Sequence, residues 1–226
     1  MKKLIVISVG GSLIVPDKID VNFLKEFHDL IVKYVEKGVR FIIITGGGKT
    51  ARNYQDAAKH IHDLRDYDVD WLGIYGTRVN AHLLRAIFYK FAHNRVLKNL
   101  EDEIKFKEKV LISGGWKPGF STDYCSIILA KHFNVKSVVN LTNTDYVFNK
   151  DPKKHSNARP IKEISWDNFI KMMPKKWSPG LNVPFDPVAS REAKNNGIEV
   201  NIIHGKSLKN LENYLNGRRF VGTKIK

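Results

Sequence analysis

The sequence predicts an α/β protein, one domain over residues 1–226 with helices on both faces of a largely parallel sheet. Two observations carry that reading. Apolar runs at Lys3–Val9, Arg40–Thr45, Val110–Ser113 and Lys136–Leu141 are suited to buried strands and alternate with segments whose apolar residues recur at helical spacing. Each run also stops abruptly in glycine or small polar residues.

The first strand, Lys3–Val9, ends in Gly10-Gly11-Ser12. Asp20 can cap a helix whose apolar face is Phe23, Leu24, Phe27, Leu30, Ile31 and Tyr34, and Gly38 stops it. The second strand, Arg40–Thr45, runs into Gly46-Gly47-Gly48-Lys49, with a helix starting near Thr50. This loop mimics two phosphate-binding motifs and fits neither. A P-loop ending in Gly48-Lys49-Thr50 would need its earlier glycine at Ile43, inside the strand. The dinucleotide pattern Gly46-x-Gly48-x-x-Ala51 would need an acidic residue closing another strand, whereas Asp63 to Asp70 reads as a charged turn.

From Trp71 to about Asn94 the pattern is helical despite Gly73 and Gly76. Glycine in a helix interior costs about 1 kcal/mol relative to alanine, so these two predict a close approach by another helix or a ligand. Arg95 to Lys109 is mixed, with a further strand expected near Val96-Leu97.

The stretch Val110 to Asp123 passes from strand to glycines to a Pro118-Gly119 turn, and Ser121-Thr122-Asp123 then opens a helix reaching His132. Glycine amides near a helix N-terminus, with its roughly +0.5 charge of macrodipole, suit a phosphate. The fourth strand, Lys136–Leu141, ends in Thr142-Asn143-Thr144-Asp145, followed by Val147, Phe148 and Asp151. In open α/β sheets, ligands bind at that carboxyl edge.

The remainder is regular. Ser165 caps a helix through Met172, and Asp186-Pro187 opens another over Val188–Asn196 with Gly197 as its stop. Val200–Ile203 is a strand, Ser207 opens a helix, and Phe220–Ile225 is a final strand.

Composition narrows the function. The 226 residues, 42% of them hydrophobic, can fill a core without staples, and the single cysteine, Cys125, has no disulfide partner, which fits a reducing compartment. Leu4–Ile7 is too short for a signal peptide, and no stretch approaches the ~20 apolar residues of a membrane span, so a cytoplasmic protein is expected. The net charge of +15 lies in scattered pairs such as Lys153-Lys154, Lys175-Lys176 and Arg218-Arg219, not in a basic arm. That pattern argues against nucleic acid as the main partner and suits small anions and nucleotides.

Five ordered motifs carry a family resemblance. They are Gly10-Gly11-Ser12; Gly46-Gly47-Gly48-Lys49-x-Ala51-Arg52; Asp70-x-x-Gly73 with Thr77 and Asn80; Pro118-Gly119-x-Ser121-Thr122-Asp123; and Thr142-Asn143-x-Asp145-x-Val147-Phe148-x-x-Asp151-Pro152. The set resembles the amino acid kinase superfamily and, within it, the archaeal-type uridylate (UMP) kinases. The resemblance implies a three-layer αβα sandwich, transfer of the ATP γ-phosphoryl group to UMP with Mg²⁺, and a homohexamer. It places the UMP side in the chain up to about residue 140 and the ATP side after it.

Carried over by position, Ser8, Val9, Gly10, Gly11, Ser12, Gly48, Arg52, Thr142, Asn143, Phe148 and Asp151 would hold ATP. Gly47, Asp70, Trp116, Lys117, Pro118, Gly119, Phe120, Ser121 and Thr122 would hold UMP. Arg52 and Asp145 would be catalytic, with Asp145 and Asp123 near Mg²⁺. The chain also departs from the family pattern. Ser8 stands where many members carry lysine, leaving Lys49, Lys117 and Lys176 as candidate cations; Tyr146 replaces a usual glycine; and Lys176 to Pro187 is long and aromatic. These departures keep two alternatives open, a kinase of the same fold with another acceptor and a non-catalytic nucleotide- or oxyanion-binding oligomer.

Overall fold

The computed structural model describes residues 3–152, 154–174 and 183–226. Its elements are β1 (Leu4–Val9), α1 (Gly11–Ile14), α2 (Val21–Glu36), β2 (Arg40–Thr45), α3 (Gly48–Ile61) and α4 (Asp66–Ile87). There follow β3 (Val110–Ser113), α5 (Thr122–His132), β4 (Ser137–Thr142), β5 (Val147–Phe148), β6 (Pro160–Ile161) and β7 (Glu163–Ile164). The chain closes with α6 (Trp166–Met172), α7 (Pro187–Asn195), β8 (Glu199–His204), α8 (Leu208–Leu215) and β9 (Gly222–Ile225).

Seven strands form one sheet in the order β3-β2-β1-β4-β8-β9-β7. The pairs β1 with β2, β1 with β4, β2 with β3 and β4 with β8 are parallel, and β9 runs antiparallel to β8. Strand alternation divides the core in two. Ile5, Ile7 and Val9 face a layer containing Phe27 and Ile31 of α2 and Leu211 of α8, whereas Val6 faces Ile127 of α5, Phe169 of α6 and Ala189 of α7. This is the three-layer αβα sandwich. Phe27 and Phe169 are fully buried, one in each layer, and truncating such a ring to alanine costs about 3–5 kcal/mol.

Helix starts follow the polar caps. Asp20 accepts the Phe23 N–H at 3.0 Å, Ser121 the Tyr124 N–H at 3.1 Å and Asp186 the Ala189 N–H at 2.6 Å. Each cap is worth about 1 kcal/mol.

Three local expectations are corrected. Asp66 to Asp70 belongs to α4 rather than to a charged turn. Asp66 and Asp68 occupy its first turn, where carboxylates complement the dipole, and Val69 and Asp70 are buried. At its other end α4 stops at Ile87, because the chain turns to bring Ala92 beside Val110. Val96-Leu97 forms no strand; Leu97 makes an isolated bridge to Ser113 along the outer edge of β3. The antiparallel pair β5–β6 lay outside the expectations.

The glycines of α4 do mark a close approach, and the neighbour is α3. A Cβ on Gly76 would lie 2.7 Å from the Ala51 Cα, and one on Gly73 would lie 2.7 Å from the Gln55 Nε2. Lys153, Lys175, Lys176 and the stretch through Asn182 lie outside the described residues.

Sheet order positions the site. The chain moves from β1 through β2 to β3 on one side and returns to β4 on the other, so connectivity reverses between β1 and β4. Ligands of open α/β sheets bind at such a reversal, beyond the strands' carboxyl ends. The loops beginning at Gly10, Gly46, Gly114 and Asn143 leave that edge.

Candidate active site

The first two glycine loops are built against each other. A Cβ on Gly11 would fall 2.0 Å from the Gly48 nitrogen, so the loops touch backbone to backbone. Gly10 N–H donates to the Leu141 carbonyl at 2.8 Å, Gly46 N–H to Val9 at 2.9 Å and Lys49 N–H to Val15 at 2.9 Å. Asn80 of α4 secures the second loop, its Nδ2 donating to the carbonyls of Gly46 and Gly47 at 2.8 and 3.0 Å. Gly48 has φ +59°, a left-handed conformation that glycine adopts without steric cost. Loop and helix start together point the positive end of α3 at the sheet edge.

Arg52, one turn into α3, is exposed and makes no hydrogen bond or ion pair with the described residues. Gly47, Gly48, Gly10 and Ser12 keep partial exposure, whereas Gly11 and Ser8 are buried. The Val9 side chain lies in the core, so what this residue can present at the edge is main chain.

The third loop is held by α4. Gly115 N–H donates to Thr77 Oγ1 at 2.6 Å, and Gly119 N–H donates to Asp70 Oδ2 at 2.7 Å. Gly119 has φ +90°, which the turn requires. The Arg78 guanidinium donates to the carbonyls of Gly115 at 3.1 Å and Trp116 at 2.6 Å. These contacts overturn the idea that Gly114 and Gly115 offer their amides to an anion. The Gly115 amide is used by Thr77, the Gly114 amide faces the Leu97 carbonyl at 3.4 Å, and a Cβ on Gly114 would meet the Arg78 Cα at 3.1 Å. Here glycine serves helix packing.

The rest of that loop is aromatic. Trp116 and Phe120 have ring centroids 5.0 Å apart, and Phe120 and Tyr124 4.6 Å. Trp116 Nε1 donates to Asn99 Oδ1 at 3.0 Å. Lys117 Nζ lies 4.0 Å from the Trp116 ring centre and pairs with Glu101 at 2.8 Å. Pro118, Ser121 and Thr122 complete a half-buried wall, with Ser121 capping α5. Burial raises the Asp70 carboxyl above its ordinary value, and the Gly119 amide opposes that shift.

Beyond β4 the edge is open. Asn143, Thr144, Asp145 and Asp151 are exposed, and Thr142 and Phe148 are half-buried. Asp145 pairs with His204 Nδ1 at 2.8 Å, and Gly205 N–H donates to the Thr142 carbonyl at 2.7 Å, tying the ends of β4 and β8 together. Thr223 Oγ1 accepts the Val147 N–H at 2.8 Å and donates to the Ile161 carbonyl at 2.5 Å, which holds β5 and β6 in place. Tyr146 sits edge-on to Phe148, centroids 6.5 Å apart.

Asp123 points elsewhere. Its Oδ2 accepts the Asp186 N–H at 3.1 Å, joining the starts of α5 and α7. It keeps some contact with solvent, yet dense packing and then the nearby Asp186 carboxylate push its carboxyl up to about 7. Burial raises Asp186 as well.

Sequence reasoning missed Arg78, Asn99, Asp186 and His204 as parts of this edge. Asp186 had a visible role as a cap, but its contact with Asp123 spans 63 positions. The contacts by which Arg78 and Asn99 hold the third loop carry no local signal, because the groups they hold, two carbonyls and an indole N–H, lie 17 to 38 positions away. Cavities of about 470 Å³ and about 450 Å³ are lined by Pro16–Asn22, where α1 leads into α2, and by residues of the segment from His93 to Lys105, Asn99 among them.

The sequence and the fold match known proteins. A model of the Amino acid kinase family matches residues 3–204. The uridylate kinase of Methanobrevibacter smithii is 31% identical over 224 residues, 98% of this chain and 98% of that protein. The uridylate kinase of Pyrococcus abyssi is 33% identical over 217 residues, 95% of this chain and 96% of that protein. The crystal structure of uridylate kinase from Archaeoglobus fulgidus superposes with a TM-score of 0.83 at 28% identity, covering 99% of this chain and 100% of that one.

Proposed function

The chain belongs to the amino acid kinase family, and from that premise we propose that it is a uridylate kinase, transferring the ATP γ-phosphoryl group to UMP to give UDP and ADP. One observation carries the reading. A chain 33% identical to a uridylate kinase over 95% of its length brings its glycine loops and its polar strand end to the same sheet edge. Phosphoryl transfer needs little covalent chemistry from protein; it needs alignment and stabilised charge on the transferred group. The start of α3 offers amides and a positive dipole to phosphate oxygens, and Arg52 offers a two-pronged fork.

The acceptor UMP sits against Gly47, Asp70 and Trp116 to Thr122, and ATP against Ser8 to Ser12, Gly48, Thr142, Asn143, Phe148 and Asp151. For Val9, Gly11 and Ser8 the burial of the side chain or residue leaves the main chain as the contact. Mg²⁺ suits Asp145, since the ion typically takes one or two carboxylates beside substrate phosphates, and this carboxylate is 59% exposed. When bound, the ion neutralises phosphate charge. Asp123, committed to the Asp186 amide, is better read as joining α5 to α7, so the metal reading narrows to Asp145. Lys49 and Lys117 remain the candidate cations among the described residues.

A homohexamer in the cytoplasm, serving pyrimidine nucleotide synthesis, is carried forward with this reading. The exposed row Tyr67, Tyr75 and Val79 on α4, with Trp71 between, supports self-association through that helix. Among the described residues no helix is long and apolar enough to cross a membrane. Sedimentation equilibrium giving a monomer would sink the oligomer.

The deciding assay measures ADP formed from ATP and Mg²⁺ with UMP, CMP, dTMP, AMP, acetylglutamate, aspartate or isopentenyl phosphate as acceptor. Selective turnover of UMP is the expected result. Preference for another acceptor, or ATP binding without turnover, overturns the proposal.

A further inference from the structure

Helix α4 grips the acceptor-side loop at both ends. Asp70 takes the Gly119 amide, Thr77 takes the Gly115 amide, and Arg78 takes two successive carbonyls, Gly115 and Trp116. Arg78 also reaches the Lys98 carbonyl at 3.4 Å, in the segment whose Asn99 holds the Trp116 indole. Its guanidinium lies 5.6 Å from the Trp71 ring centre and 5.5 Å from that of Tyr75. These partners are carbonyls and ring faces, and none is a carboxylate. The charge is half-buried without a counter-ion among them, and burial lowers its pKa.

A half-buried cation satisfied by carbonyls and ring faces but by no carboxylate is a costly device for holding two carbonyls if packing alone were at stake. Its placement gives it another use. Through Gly76, α4 is pressed against Ala51 of α3, next to Arg52 and the Gly47–Gly48 turn. The distance between the aromatic loop and the start of α3 is therefore fixed through α4, and the last link is the Arg78 fork.

We propose that Arg78 is a positioning residue for the phosphorylated acceptor: it sets the Gly115–Phe120 loop against the start of α3, at the spacing a nucleoside monophosphate needs. The inference rests on the kinase reading above. Arginine is required because its planar donors reach successive carbonyls and a third segment together, which one ammonium group cannot do.

The test uses full-length Arg78→Lys and Arg78→Met. Both are expected to raise KM for UMP roughly tenfold or more, with KM for ATP within about twofold of the parent. Amide hydrogen exchange at residues 115–120 is expected to speed up in both variants while β1 and β4 stay protected. Full rescue of the UMP KM by lysine, an equal rise in both KM values, or unchanged exchange in the loop would each overturn the proposal. If the parent protein does not phosphorylate UMP, the kinase reading fails on that assay. The exchange experiment still reports whether Arg78 holds the loop.

Discussion

The two sides of the sheet edge are held by different means. On the acceptor side, Asp70, Thr77, Arg78 and Asn99 fasten the Gly115–Gly119 loop with hydrogen bonds of 2.6 to 3.1 Å from two separate segments. On the proposed nucleotide side the main chain is held, by the Gly205 N–H on the Thr142 carbonyl at 2.7 Å and the Val147 N–H on Thr223 at 2.8 Å, but the Thr142 hydroxyl reaches Asn143 and Thr144 only at 3.5 Å and Asp145 forms an ion pair with His204. A surface ion pair is worth about 0–1 kcal/mol, whereas hydrogen bonds involving a charged group are worth about 1.5–3. The Gly115–Gly119 loop is thus fixed by side chains as well as by main chain, whereas at the far side the fold fixes the strands and leaves Asn143, Thr144 and Asp145 exposed. Pre-organisation favours specificity; an open edge favours exchange of ligand.

The largest expected effect lies where the two sides meet. Arg52→Ala and Asp145→Asn are each expected to lower kcat by about 10²- to 10³-fold, the scale of losing one charge-stabilising group in a transition state. Both residues are exposed, so the free energy of unfolding should change by no more than about 0.5 kcal/mol. Turnover near the parental rate in either variant would remove that residue from the reaction centre.

Asp70→Ala sharpens the contrast between the sides. It frees the Gly119 amide and should raise KM for UMP about tenfold with little change for ATP. A matching rise for ATP would mean that the two sides are not independently built.

The smallest effect is a pH dependence in the support beneath them. Asp123 titrates near 7 in the folded chain against an ordinary 3.8, so between those values the native state binds a proton that the unfolded chain has released. The contribution of Asp123 to stability therefore falls as pH rises through that window and is constant above it. Asp123→Asn is expected to flatten this slope in urea titrations between pH 4 and pH 8. An Asn variant with the parental slope would show that Asp123 is not the titrating group.

Much of this edge was legible in the sequence because it is local. Asp20, Ser121 and Asp186 cap helices through amides three residues on, and Arg40–Thr45 reads as a strand from its own side chains. The paired glycines at Gly10, Gly46 and Gly114 correctly marked strand ends. Their purpose was less legible. The same composition serves loop-on-loop contact at Gly11 and helix packing at Gly114, and nothing within a few residues tells these apart. Asp66 to Asp70 misled for a related reason: alternating charge looks like a turn until the dipole of a helix and the burial of Val69 are included.

The sequence by itself determined the alternation of strands and helices, the caps and the family, because periodicity and short-range hydrogen bonding are written in neighbouring residues. Tertiary structure alone decided the strand order that opens a crevice between β1 and β4, the turning of Asp123 toward Asp186 and the grip of Arg78 on Gly115 and Trp116. Those contacts join segments 37 to 63 positions apart, and their partners are largely main-chain groups that every residue carries, so only the folded arrangement selects them.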